Sequence, residues 1–213
     1  MDNRRKLALY SALAGSAAAA TLLGLRYYRK ATEREAAYLA EILDLHPGKE
    51  VVEVGAGKGQ MTVRVSRLVQ PTGRVLATEF EAKKLWRLHR SVEKSGAKNV
   101  SVVEGSPTGA ELPLGSCDAI FMRGVYHHFT APEEMNRSLF RALRPGGALV
   151  VIDFPPKLVL APWTPKGIPA NRGGHGIRQE LLRRELAEAG FETVEQWDDW
   201  PFGMYCVVLR KPL

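Results

Sequence analysis

Three alternate glycines follow a short β-branched run in the first third of the chain. Residues 53–59 read Glu-Val-Gly-Ala-Gly-Lys-Gly. Glycine lets backbone approach a ligand closely because it has no Cβ, and a helix that begins next presents free N–H groups to that ligand. Glu79 stands 20 residues after Gly59, at the end of the next apolar run, where a carboxylate can accept hydrogen bonds from both hydroxyls of a ribose. This arrangement predicts a site for a ribose-containing cofactor.

The glycine spacing separates two cofactor classes. Dinucleotide-binding enzymes have the order G-x-G-x-x-G, in which the third glycine packs a helix on a strand. That position is Gln60 here, and the observed order is Glu53, Gly55, Gly57, Gly59. A nicotinamide-dependent oxidoreductase therefore stays an alternative, as does a non-catalytic binding module that keeps the fold.

A second group of candidate residues lies further along the chain. Tyr126, His127 and His128 are consecutive, and a histidine here could act as a base near neutral pH. Residues 155–177 contain five prolines and form a long segment of the kind that is often functional, so we expect a substrate lid with His175 in it. The histidines and acidic residues show no metal-ligand spacing, and no metal site is predicted.

Alternating strand and helix patterns must position these residues. Periodicity and turn residues predict strands at residues 50–54, 74–78, 100–104, 117–122, 148–154, 191–197 and 204–209. They predict helices at residues 31–44, 60–69, 81–94, 132–143 and 179–189, with Arg144-Pro145-Gly146-Gly147 closing the fourth of them. We therefore expect an α/β fold with a doubly wound, mostly parallel seven-stranded sheet and an antiparallel last strand. Ligands bind at the carboxyl ends of the strands in such sheets.

The order of these motifs over residues 38–154 resembles the class I S-adenosylmethionine-dependent methyltransferases of the small-molecule (quinone and sterol) type. The resemblance implies S-adenosylmethionine as cofactor and S-adenosylhomocysteine as product. It implies cofactor contacts from Glu53, Gly55, Ala56, Gly57, Gly59, Glu79, Phe80, Gly105, Ser106, Arg123 and Gly124. The family commonly has Asp where Ser106 stands, which makes the contact with the adenine the least conventional of the set.

Methyl transfer from a sulfonium needs alignment and exclusion of water more than a reactive side chain. A general base is required only if the acceptor arrives protonated. Under this implied activity the catalytic candidates are Tyr126, His127, His128 and His175. The candidates for contact with the acceptor are Asp153, at the end of the fifth predicted strand, with Trp163 and Arg172 in the predicted lid.

Residues 1–30 differ from the rest of the chain. Residues 7–25 carry no charge, and a 19-residue helix is roughly 28 Å long, about the thickness of a hydrocarbon core. We predict a membrane anchor at residues 1–30, with a cleaved export signal and a soluble helix as alternatives, and a methyltransferase domain at residues 31–213. Because S-adenosylmethionine is made in the cytosol, that domain should face the cytosol or an equivalent compartment.

Net charge restricts the partners. The chain carries +7, but six basic residues and one acidic residue lie within residues 1–30, which leaves only +2 for the remainder. A domain that grips nucleic acid should show its own basic stripes. We therefore expect no nucleic acid as a partner. The predicted anchor and the apolar part of the predicted lid favour a small, apolar acceptor. The oligomeric state stays open.

Overall fold

The computed structural model describes residues 3–213 except residues 107, 111, 158, 160, 161, 163, 165, 170, 171, 173 and 174, and it describes side chains from residue 21 onward. Contacts divide the chain into two compact units, Met1–Tyr38 and Leu39–Leu213. The second unit holds the whole sheet.

Seven strands form one mixed sheet. Their bounds are β1 Glu50–Val54, β2 Arg74–Glu79, β3 Val100–Glu104, β4 Cys117–Arg123, β5 Leu143–Asp153, β6 Glu192–Trp200 and β7 Met204–Arg210. The spatial order is β3-β2-β1-β4-β5-β7-β6. All pairs are parallel except those of β7, which runs antiparallel to both β5 and β6. The predicted fold is confirmed.

Helices alternate with these strands as the periodicity predicts. Their bounds are α1 Asn3–Ile42, α2 Gln60–Val69, α3 Ala82–Ser95, α4 Pro132–Ala142 and α5 Gln179–Glu188. The buried side chains of α2 lie at one face, with Met61, Val65 and Val69 at helical spacing. The helix predicted at residues 31–44 is the last part of α1, a single helix of 40 residues.

The prediction for the start of β5 was wrong. The strand begins at Leu143 and includes Arg144-Pro145-Gly146-Gly147, which we expected to close the preceding helix. The pairing with β4 jumps from Cys117 with Leu143 to Ala119 with Ala148, so these residues bulge out of the parallel ladder. Two of them bond instead to the residue that follows β7. Gly146 N donates to Lys211 O at 2.9 Å, and Lys211 N donates to Gly147 O at 3.0 Å.

The helical backbone predicted for residues 7–25 is present within α1. Among the residues whose side chains are described, Leu22, Leu23 and Leu25 are exposed. No helix in the described part of the chain is long and apolar enough to cross a membrane.

The central strands bring the predicted site residues to one edge of the sheet. In the register, Val54 at the end of β1 pairs with Thr78 on one side and Met122 on the other, and Met122 pairs with Val151. The loops that follow β1, β2, β4 and β5 therefore leave the sheet side by side, at its carboxyl edge.

Candidate active site

Each glycine of the loop after β1 lies in the left-handed region, with φ of 70° at Gly55, 59° at Gly57 and 73° at Gly59. A Cβ at Gly55 would overlap Val125, and a Cβ at Gly59 would come within 2.6 Å of Leu88 Cδ1. A Cβ at Gly57 would meet no atom within 4 Å. Gly55 and Gly59 are thus required by packing as well as by φ, whereas Gly57 faces open space.

Glu79 ends β2 and is buried, with its side chain turned towards that loop. Its Oε2 accepts a hydrogen bond from Gly57 N at 3.0 Å. Its Oε1 accepts bonds from Phe80 N at 3.0 Å and Glu81 N at 3.2 Å. A carboxylate offers about four acceptor positions, so one stays open for a ligand hydroxyl, and a second hydroxyl would replace the longest of the three bonds.

Glu53 lies inside the sheet edge beneath the loop. It is 4% exposed, and Thr62 Oγ1 donates a hydrogen bond to its Oε2. Burial raises the pKa of Glu53 to about 8, against the lowering effect of the Thr62 bond and the Arg123 charge. In the ligand-free protein at neutral pH this carboxyl group is therefore mostly protonated, and it braces the first turn of α2.

A pocket opens where these loops meet, and it joins the two groups of candidate residues. Six of the predicted site residues line it: Gly55, Glu79, Phe80, Gly105, Ser106 and His128. The other lining residues are Val54, Thr78, Gly109, Ala110, Val125, Phe129 and Met135. The predicted adenosine contacts and one predicted catalytic histidine thus face the same space.

Ser106 occupies a tight turn at one end of the pocket. Its Oγ donates to Gly109 O at 3.0 Å and accepts from Gly109 N at 2.9 Å. The hydroxyl therefore shapes the turn, and its contact with adenine stays a prediction. A Cβ at the neighbouring Gly105 would make only ordinary contact, at 3.5 Å from Thr78 Cβ, so protein packing does not demand a glycine there.

Three predicted cofactor residues lie close to the pocket without lining it. Ala56 is buried in the glycine loop, and its N donates to Thr78 O at 2.9 Å. Gly124 has φ of 63°, and its N donates to Ile152 O at 2.7 Å. The Arg123 guanidinium lies 5.1 Å from the centre of the Phe202 ring. Their contacts with a cofactor stay predictions.

His127 and Asp153 form a buried pair at the ends of β4 and β5. His127 Nδ1 lies 2.8 Å from Asp153 Oδ1, and His127 N donates to Asp153 Oδ2 at 3.1 Å. Phe154 N donates a further bond to Oδ1 at 2.8 Å. An ionised carboxylate only accepts, so Nδ1 is the donor in this contact, and His127 Nε2 has no hydrogen-bond partner among the described residues.

Two more histidine rings make edge-on contacts with the His127 ring. The His127 ring centre lies 4.0 Å from that of His128 and 4.7 Å from that of His175. Burial, followed by the neighbouring His127 and His175 rings, lowers the pKa of His128 to about 4, so its ring is neutral at pH 7. The sequence did not reveal this cluster, because His175 comes 47 residues after His128 and reaches it only through the loop fold.

Tyr126 and Arg172 meet at Glu185 in the core, and neither residue lines the pocket. Tyr126 is fully buried, and its hydroxyl donates to Glu185 Oε2 at 2.9 Å and accepts from Asn136 Nδ2 at 2.8 Å. Arg172 Nη1 donates to the same Glu185 oxygen at 2.8 Å. This geometry favours a structural role for both residues, and the predicted catalytic and substrate contacts stay untested.

Backbone hydrogen bonds join the two ends of the predicted lid. Lys157 N donates to His175 O at 2.9 Å, and Ile177 N donates to Phe154 O at 3.1 Å. Trp163 lies outside the described residues. Segment 155–177 therefore begins and ends beside Asp153, next to the histidine cluster.

Comparison with known sequences shows which proteins this chain resembles. The profile of a family described as a methyltransferase domain matches residues 51–147. A ubiquinone/menaquinone biosynthesis C-methyltransferase UbiE of Ectopseudomonas mendocina is 29% identical over 181 residues, which cover 74% of this chain and 70% of that protein. The predicted resemblance to the class I S-adenosylmethionine-dependent methyltransferases is confirmed over the matched region.

Other relatives align with a shorter part of this chain. The UbiE protein of Pseudomonas aeruginosa is 30% identical over 119 residues, 55% of this chain but only 46% of that protein. The chain thus aligns with about half the length of that relative. A crystal structure described as an S-adenosylmethionine-dependent methyltransferase from Aquifex aeolicus superposes with a TM-score of 0.68 and 22% identity, over 82% of this chain and 88% of that one, which supports the fold.

The cofactor of the methyltransferases that this chain resembles fits the site. The buried Glu79 carboxylate keeps an acceptor position for a ribose hydroxyl, and open space lies in front of Gly57. Phe80 and Gly105 flank the same pocket. S-adenosylmethionine, when bound, supplies a methyl group on a positively charged sulfur, and the chain has to bind and orient it.

Proposed function

We propose that the chain transfers the methyl group of S-adenosylmethionine to a small, apolar, quinone-like acceptor at a membrane surface. The observation that carries the proposal is the pocket that Glu79 and His128 both line, because it joins a ribose-binding carboxylate to a candidate acceptor site. The names of the UbiE relatives, which refer to ubiquinone and menaquinone biosynthesis, support the acceptor class.

The chain's own residues would align and desolvate the reacting groups. Glu79 would hold the ribose, and the loop from Gly55 to Gly59 would bring backbone close to the cofactor. The acceptor would enter beside His128, where apolar groups such as Val125, Phe129 and Met135 exclude water. If the acceptor is a phenol or a carbon acid, it would need a base, and His128 would be a weak one, because burial and the neighbouring histidines lower its pKa to about 4.

Features of the N-terminal unit support the membrane part of the proposal. Leu22, Leu23 and Leu25 are 60% or more exposed, and Tyr27 is 72% exposed. Arg26, Arg29 and Lys30 follow them. Apolar side chains with an aromatic and basic border suit the interface of a membrane. On this proposal the domain works on the cytosolic side, where its cofactor is made.

A methylation assay tests the activity. Full-length protein is incubated with isotopically labelled S-adenosylmethionine and a hydroquinone with a short isoprenoid tail, dispersed in phospholipid vesicles. We expect a product with one added methyl group, detected by mass spectrometry and reduced at least tenfold in Glu79→Ala. Absence of product from several quinols, with normal cofactor binding, would contradict the acceptor class. Reduction of a quinone with a nicotinamide cofactor would favour the oxidoreductase alternative.

Vesicle flotation tests the membrane surface. We expect the full chain to float with anionic phospholipid vesicles and the double variant Leu22→Asp/Leu23→Asp to stay in the dense fraction. Leu114→Asp is the matched control, because Leu114 is 74% exposed but lies in the other unit, and it should float like the wild type. Equal flotation of the three proteins, or none by the wild type, would contradict this part of the proposal.

A further inference from the structure

Three histidine rings at the carboxyl edge of the sheet each have a buried nitrogen with no hydrogen-bond partner among the described residues. The atoms are His127 Nε2, His128 Nε2 and His175 Nδ1. A buried polar atom without a partner costs about 1–3 kcal/mol, and such an atom in a native fold calls for an explanation such as a bound ion. Three of them in one cluster point to a common ligand.

The rings are close enough to share one small ligand. One ring nitrogen of each histidine lies within 4.8 Å of a ring nitrogen of the other two. Ligand nitrogens about 2.0–2.1 Å from a tetrahedral zinc ion are about 3.3 Å apart. Rotations that move each ring nitrogen by roughly 1 Å would close that difference, and His128 and His175 are both partly exposed.

Asp153 prepares His127 for such a ligand. Its carboxylate contacts His127 Nδ1, so in a neutral ring Nε2 is the nitrogen available to ligate an ion. A histidine that ligates a metal almost always donates its other ring N–H to a carboxylate, carbonyl or water, which fixes the tautomer and raises the basicity of the ligating nitrogen. Two backbone bonds, from His127 N and Phe154 N, hold that carboxylate in place.

We propose that His127, His128 and His175 bind a divalent transition-metal ion, zinc in the first instance, through one ring nitrogen each. Neutral imidazoles suit zinc, copper, nickel and iron. Three histidines with an open fourth position are a known arrangement for a catalytic zinc ion. The inference concerns metal binding and does not rest on the identity of the methyl acceptor.

The position of the site gives the metal a place in the protein. His128 also lines the cofactor pocket, so the fourth position of the ion would adjoin the acceptor space. His175 belongs to the base of segment 155–177, where its carbonyl accepts from Lys157 N. An ion held by His127, His128 and His175 would therefore connect His175, and the Lys157 backbone that is bonded to it, to the end of the sheet.

Metal titration of the full chain tests the proposal. The protein is prepared without a polyhistidine tag, stripped with a chelator and titrated with zinc chloride by calorimetry. We expect one zinc ion per chain with a Kd below about 1 µM. His175→Ala and His128→Ala should each weaken zinc binding at least tenfold, about 1.4 kcal/mol. Cobalt substitution should give the intense visible bands of a tetrahedral site, and these should disappear in His175→Ala.

Two controls separate this result from surface binding and from misfolding. His89→Ala changes an exposed histidine on α3 and should leave zinc binding unchanged. The far-ultraviolet circular dichroism and the S-adenosylhomocysteine Kd of His175→Ala report whether the variant is folded. A Kd for zinc weaker than about 100 µM in the wild type, or equal zinc binding by the folded His175→Ala, His128→Ala and His89→Ala variants, would overturn the proposal.

Discussion

Glu79 Oε2 accepts a hydrogen bond from Gly57 N across 3.0 Å and thereby ties the end of β2 to the glycine loop after β1. The bond holds a buried carboxylate at the rim of a pocket that five other predicted site residues also line. Substitutions at Glu79 and in the glycine loop can therefore test cofactor binding separately from folding.

Alanine at Gly57 should affect binding more than stability. A Cβ there meets no protein atom, so the cost is the left-handed φ of 59°, about 1–2 kcal/mol for a residue with a Cβ. The same Cβ would enter the space assigned to the cofactor. We expect the Kd for S-adenosylhomocysteine to rise at least tenfold, measured by calorimetry.

Gly55→Ala is the matched comparison for that experiment. Its φ is similar at 70°, but its Cβ would overlap Val125. We expect a larger loss of stability in urea unfolding than for Gly57→Ala. Equal losses of stability in the two variants, with unchanged cofactor binding by Gly57→Ala, would contradict the assignment of the loop.

Glu53 should make the stability of the ligand-free protein depend on pH. Its pKa is raised from 4.5 to about 8 in the folded state by burial, so between these values the folded state holds a proton that the unfolded state has lost. Stability from this group is complete below pH 4.5 and is lost as the pH rises through 8. The slope approaches about 1.4 kcal/mol per pH unit for one proton.

Glu53→Gln should remove that slope, because an amide resembles the protonated carboxyl group but does not titrate. Urea unfolding of both proteins from pH 5 to pH 9 is the measurement. The difference in unfolding free energy, variant minus wild type, should increase with pH. A difference that is independent of pH would show that Glu53 is ionised in the folded protein.

Tyr126→Phe should lower stability without altering cofactor binding. The change removes a hydroxyl that donates to Glu185 and accepts from Asn136 in the core, and a hydrogen bond of this kind contributes about 0.5–1.5 kcal/mol. The exposed Tyr27→Phe is the control and should be neutral. A large loss of methyl transfer with unchanged stability would instead assign Tyr126 the catalytic role.

Arg172 and Glu185 should be coupled. Their side chains are 1% and 12% exposed, and Nη1 lies 2.8 Å from Oε2. Removing one partner of a buried ion pair costs about 3–5 kcal/mol because the other charge stays buried. We expect Arg172→Met/Glu185→Met to be less destabilised than the sum of the single variants in urea unfolding. Additive effects would show that the pair is not coupled.

The sequence predicted what depends on local pattern. Hydrophobic periodicity gave α2 and β3 with their observed bounds, and the glycine order gave the loop before α2. The start of β5 was missed because Gly146 and Gly147 bond to Lys211, which follows the last strand, a contact that only the tertiary fold creates. The cluster of His127, His128 and His175 was missed for the same reason, since hydrogen bonds at the base of a long loop bring His175 to it.

Calorimetric titration of the full chain with S-adenosylhomocysteine tests the central claim most directly, with Glu79→Ala and Glu81→Ala as the paired variants. Glu81 is a half-exposed carboxylate two residues after Glu79 and pairs with Lys84, so its substitution controls for charge. We predict a micromolar Kd for the wild type and Glu81→Ala and at least tenfold weaker binding, about 1.4 kcal/mol, for Glu79→Ala. No binding by the folded wild type, or one Kd for all three proteins, would contradict the account.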